Sequence, residues 1–147
     1  MPKTFLGIAA SRELTNPETT ESFWCVPASA EKGDVILLYC PRAESAARQG
    51  LFAESIIETA PGKENDFLCS GFGIGNEILR HVRIKIKRRF KPALTAADMK
   101  RDPVLMSSGF VRRNFQGTVF FLQETLAKRI LFLAEKKQMD GKLESEI

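Results

Sequence analysis

Phe23-Trp24-Cys25-Val26-Pro27, then Lys32-Gly33-Asp34, then Val35-Ile36-Leu37-Leu38-Tyr39: the fold of this chain turns on how that succession is read. It holds the only tryptophan, beside a second aromatic and shortly before a Gly-Asp turn. The run at 35–40 is apolar almost without a break, which predicts a strand covered on both faces. Pro27 argues against a long regular strand around Trp24, so that segment is expected as a loop or short strand near the surface. An aromatic placed there can stack on a flat ligand, a nucleobase included. Packing in the core is the competing reading for a lone Trp.

Outward from this stretch, residues 4–10 predict a first, central strand, and the polar segment after it turns at Asn16-Pro17. Pro41 ends the run at 35–40, and residues 51–59 alternate loosely as a further strand before Pro61-Gly62. Residues 78–90 give the clearest signal: Val82, Ile84 and Ile86 alternate with His81, Arg83, Lys85 and Lys87. A strict period of two predicts one face on the core and a basic face toward solvent or a ligand. Residues 94–100 predict a short helix, with Thr95 and Asp98 spaced as a capping box. A last strand at 115–122 and a helix at 123–137, apolar at Leu126, Ile130 and Leu133, complete the series. The expectation is one α+β domain over 1–137, a sheet of about five mostly antiparallel strands able to curl into a small barrel. Residues 138–147 are expected as a polar, disordered tail.

Charge sharpens the functional question. Of the 22 Lys and Arg residues, eleven lie between Ile78 and Arg113 against two acidic residues there. Such asymmetry suits a polyanionic partner, nucleic acid above all, although a solvated basic face or an edge strand guarded by Lys looks the same in sequence. Arg83, Lys85, Lys87, Arg88, Arg112 and Arg113 are the candidate contacts to a nucleic-acid backbone. Arg112 and Arg113, followed by Asn114, read equally well as a polar turn.

Three cysteines at wide spacing and a single histidine predict neither a disulfide framework nor a metal site, and no cofactor is expected. Cys25 or Cys69 with His81 would supply a thiol nucleophile and a base, but buried hydrophobic cysteines are commoner, so the chain is expected not to be an enzyme. Gly71, Gly73 and Gly75 lack the Lys-Ser/Thr of a phosphate loop and read as a turn. No apolar run approaches a membrane span and the N-terminus is too short in apolar residues for a secretory signal, so a cytoplasmic location is expected.

Taken in order over most of the chain, these pieces resemble the EVE domains of the PUA-like superfamily, relatives of the YTH and ASCH domains. The resemblance rests on a first strand closing on Ser11, the Trp24 to Pro27 segment, and the Gly33-Asp34 turn into a strand ending at Tyr39. It continues through the alternating strand before Pro92, the short helix before Asp102-Pro103-Val104-Leu105, and the 113–117 segment. It implies a small mixed barrel with a C-terminal helix that holds a nucleotide of RNA or DNA, its base plain or modified, without catalysis. Ser11 would then lie at the pocket rim, Trp24, Cys25, Val26 and Pro27 would form a wall, and Tyr39, Cys40, Pro41 and Arg42 would close the far side. Ala9-Ala10 stand where EVE domains often place a basic residue, and a second caging Trp is missing, so a looser nucleotide pocket is implied in place of a methyl-base cage. A small-molecule or nucleotide-metabolite protein using the same cavity, and a module that docks an acidic protein on the basic face, are the alternatives.

Overall fold

The apolar run at 35–40 becomes an internal strand of a six-stranded mixed sheet in the computed structural model of the chain. The structure describes residues 2–8, 20–40, 50–59, 79–109 and 119–146. The strands are β1 (Thr4–Ile8), β2 (Glu21–Pro27), β3 (Val35–Cys40), β4 (Gly50–Ile57), β5 (Leu79–Leu94) and β6 (Val119–Leu122). Among the described residues two helices accompany them, α1 (Ala96–Arg101) and α2 (Glu124–Glu146). The strand order is β2-β5-β4-β3-β1-β6. β1 and β3 are parallel, with Phe5 beside Ile36 and Ile8 beside Tyr39, and the other pairs are antiparallel.

Alternation along the strands sorts apolar side chains into two cores. Phe5, Ile36, Leu38, Val82 and Ile84 gather on one face with Val26 and Val119. Leu6, Leu37, Tyr39, Phe90 and Leu122 gather on the other, against Met99 of α1 and Ala127, Ile130 and Ala134 of α2. The double covering of β3 predicted from its sequence is therefore present, residue by residue.

The first of these cores is the inside of a curl. Strands lie about 4.8 Å apart, so β2 and β1, four places apart, would be separated by roughly 19 Å in a flat sheet. Yet a Cβ added to Gly7 of β1 would stand 3.0 Å from Nε1 of Trp24 on β2. Only a sheet bent into a half-barrel brings the two together. Two glycines serve this geometry directly. Gly7 leaves the space the indole fills, and Gly50 enters β4 at φ +121°, where a Cβ would collide with the Leu94 carbonyl.

Local chemistry fixes the connections. The Asp34 carboxylate accepts from the backbone N–H groups of Lys3 (2.9 Å) and Glu31 (2.8 Å), and Gly33 takes the positive φ of the turn. This clamps the start of β1 to the start of β3 and sets their parallel register. The capping box expected at α1 is formed: Asp98 N–H donates to Thr95 Oγ1 (3.1 Å) and Thr95 N–H to Asp98 Oδ2 (2.9 Å). Asp102 follows that helix, buried, accepting from the guanidinium of Arg129 on α2 at 2.6 Å and from the backbone of Val104 and Leu105. Lys137 donates to Asp98 (2.5 Å) and to the Ala93 carbonyl (2.9 Å), so α2 is tied to β5 and α1 together.

The structure revises several bounds. Among the described residues the sheet has six strands where about five were expected, because the Trp24 segment is a regular seven-residue strand. Pro27 is its last residue and β2 is an edge strand, so the N–H that proline lacks is not missed. β5 continues past Phe90 through a cis Lys91–Pro92 peptide to Leu94. α2 runs past Lys137 to Glu146, over residues expected to fray. Cys25 is disulfide-bonded, against the expectation drawn from cysteine spacing. No described helix is long and apolar enough to cross a membrane.

Candidate nucleic-acid interface

Trp24 is carried by the edge strand β2, where it pairs with Val82 of β5. Its neighbours on the inner face are Val26 and, across the curl, Gly7 and Ile36 of the barrel interior. The indole is packed against the inner core and stays only partly buried. It is thus a core residue and an accessible one together, the two readings that the sequence set against each other.

Around it the expected site residues separate. Val26 and Cys40 lie in the inner core with Trp24, and Pro27 is buried at the end of β2. Tyr39 belongs to the helix-side core, on the opposite side of the sheet from Trp24. Burial, and then the neighbouring Cys40, push its phenol above the usual tyrosine range, so Tyr39 acts as a neutral, packed group. Cys25 is the register partner of His81, which brings together two groups that sequence could not place, but the sulfur is held in a disulfide. Ser11, Pro41, Arg42, Arg112, Arg113 and Cys69 lie outside the described residues. The segments bearing Ser11 and Pro41-Arg42 follow Ile8 and Cys40, the adjacent ends of the parallel strands β1 and β3.

The basic row runs along β5 on the other side. Arg83, Lys85 and Lys87 are exposed, while Val82 before them and Ile84 among them are buried in the inner core. Trp24 and this row therefore occupy opposite faces of the β2–β5 ribbon. Arg88 is different in kind. A bulge shifts the β4–β5 register beside it, and its guanidinium donates to Glu54 (2.8 Å) and Glu135 of α2 (2.7 Å) while lying over the Phe90 ring. Two carboxylates occupy it, so it braces α2 against the sheet.

One feature escaped the sequence. Phe23 is 53% exposed, its ring stacks on His81 at 4.9 Å with an interplanar angle of 16°, and the Arg83 guanidinium lies 5.6 Å from its centroid. The signal was present in the alternation, since a residue adjacent to an inward Trp on a strand must point outward. It could be read only once the segment was known to be a strand.

No protein-family model and no curated protein matches the chain. Solved structures do. A hypothetical protein from Leishmania major superposes with a TM-score of 0.69 at 14% identity, covering 94% of this chain and 98% of its own. A protein from Pseudomonas syringae gives 0.66 at 12% identity over 89% of this chain and 99% of its own. Human THYN1, solved in complex with DNA containing 5-methylcytosine, gives 0.56 at 12% identity over 90% of this chain and 98% of its own. With its curled six-stranded mixed sheet and C-terminal helix, the chain has an α+β, PUA-like fold, shared along nearly its whole length with these proteins.

Proposed function

We propose that this chain is an EVE-type nucleic-acid-binding module that takes one base into the half-barrel against Trp24. The observation that carries this reading is the indole itself, seated inside the curl over Gly7 yet not closed off from solvent. Stacking on such a surface is worth about 1–3 kcal/mol per base, against an unstacking cost of a few kcal/mol that phosphate contacts must offset. The fold shared with a protein solved on methylated DNA supports the choice of ligand.

In this proposal Trp24 is the stacking wall, with Val26 and Pro27 behind it and backbone groups near Cys25 turned to the base edge. Ser11 lies at the rim and Cys40 to Arg42 close the far side, with Tyr39 packed behind them on the helix side of the sheet as support. Arg83, Lys85 and Lys87, with Arg112 and Arg113, meet phosphates. Arg88 is left out because its carboxylate partners already hold it.

Because the chain has one Trp, its fluorescence reports this site alone. Titration with single-stranded and duplex oligonucleotides, with and without 5-methylcytosine, at two salt concentrations should quench it. The quenching should weaken as salt rises, since neutralised phosphates release counterions with a slope of roughly −0.7 per contact on single strands. Preference for one base form would name the ligand. Binding seen by anisotropy with an unquenched Trp24 would leave a basic surface and remove the pocket.

A further inference from the structure

The geometry points to a second contact on the outer face of the β2–β5 ribbon: Phe23 and His81, flanked by Arg83, form a stacking platform for a base of the single strand next to the one held at Trp24. This inference rests on the proposed function, and it assigns a role to Phe23 and His81, which that proposal leaves unused.

The platform is built from register. Phe23 pairs with Arg83 and Cys25 with His81, so side chains of two strands converge on one face. Phe23 is half-exposed, stacked on His81 and with the Arg83 guanidinium over its ring. Aromatic rings interleaved with cations are what sequence-tolerant single-strand binding uses, bases on the rings and phosphates on the cations. Lys85 and Lys87 extend the cationic row along β5, with Glu21 paired opposite Lys85 moderating it.

The route between the two sites is short. Among the described strands β2 is hydrogen-bonded to β5 alone, and the curl brings its outer edge close to β6, so a strand passing around it would cross at that seam. Phe23 and Trp24 are consecutive and point to opposite faces of that edge strand. A polynucleotide crossing the edge would set one base inside on Trp24 and a flanking base outside on Phe23. A single nucleotide would reach only the first.

Length dependence therefore tests the idea. A mononucleotide and a single strand of about eight nucleotides are compared on the full chain by anisotropy and Trp24 quenching. The Phe23→Ala variant should bind the longer strand roughly tenfold more weakly and the mononucleotide unchanged. Its melting curve checks folding. In a second variant, Phe23→Trp with Trp24→Phe, the reporter moves to the outer face, where the longer strand should quench it. Equal binding of the longer strand by wild type and Phe23→Ala, or an unquenched outer reporter, would overturn the platform while leaving the pocket. An unquenched Trp24 with binding still sensitive to Phe23→Ala would remove the pocket and keep the platform. Polyglutamate competing as well as the oligonucleotide would also overturn it, because the face would then answer to charge alone.

Discussion

The two faces of the β2–β5 ribbon are made from the same two strands and do different things. Inside, Trp24, Val82 and Ile84 pack into the barrel core, and their contacts hold the curl. Outside, Phe23, His81, Arg83 and Lys85 lie toward solvent, Phe23 stacked on His81 with the Arg83 guanidinium over its ring. Apolar burial stabilises by roughly 25 cal/mol per Å², so the inner face carries stability. An exposed cation and ring together contribute about 0.5–1 kcal/mol, so the outer face is left free for the recognition proposed for it. A strand with period two lets one sequence serve both purposes with little interference.

The sharpest way to break this contrast is to change neighbours on β5. Ile84→Ala should cost about 2–5 kcal/mol of stability through lost burial and a residual cavity. Arg83→Ala should cost no more than about 1 kcal/mol while weakening oligonucleotide binding. Urea unfolding monitored by Trp24 separates them, and similar midpoints for the two variants would mean that the faces are not specialised.

A smaller effect is expected at the seam of the curl. Gly7→Val would push branched carbons toward the indole and Ile36, where an added Cβ already stands 3.0 and 3.1 Å away. Overpacking of this kind costs about 1–3 kcal/mol. It should also displace Trp24, seen as a red-shifted emission and weaker quenching by oligonucleotides. An unshifted spectrum would show that the indole is not seated on Gly7.

The mildest perturbation acts on the helix-covered side and leaves both ribbon faces alone. Burial pushes the Asp98 carboxyl up, but hydrogen bonds from Lys137 and Thr95 outweigh it and hold the group at about 2, below its ordinary 3.8. A depressed carboxylate stabilises the fold above its unfolded value and loses that contribution as pH falls from about 4 toward 2. Asp98→Asn should lower the melting temperature at pH 6 and converge with wild type near pH 2. Trp24 emission should stay unchanged in the folded variant throughout. A constant offset across that range would assign the loss to the cap geometry and not to the charge.

Much of this was legible in the sequence because it is local. The alternation from Val82 to Lys87 already specified a strand with one basic face, and the capping box at Thr95 and Asp98 already specified where α1 begins. The unbroken apolar run of β3 already required two cores. Less of the candidate site could be read. Trp24 was identifiable as unusual, but its partner Gly7 is distant in sequence, and a lone glycine in a strand announces a close approach without naming what approaches. Arg88 looked like its basic neighbours until Glu54 and Glu135 were found beside it.

By itself, then, the sequence determined the periods, the caps and the turns, since each depends on residues within a few positions of one another. The tertiary structure alone decided the strand order, the curl that carries β2 to β1, and the disulfide at Cys25. It also decided that Trp24 and the basic row lie back to back. The physical reason is that a strand's period fixes which residues share a face, whereas the direction in which a sheet bends is set by packing among residues far apart in the chain. Which face became the inside of the barrel was settled by that packing.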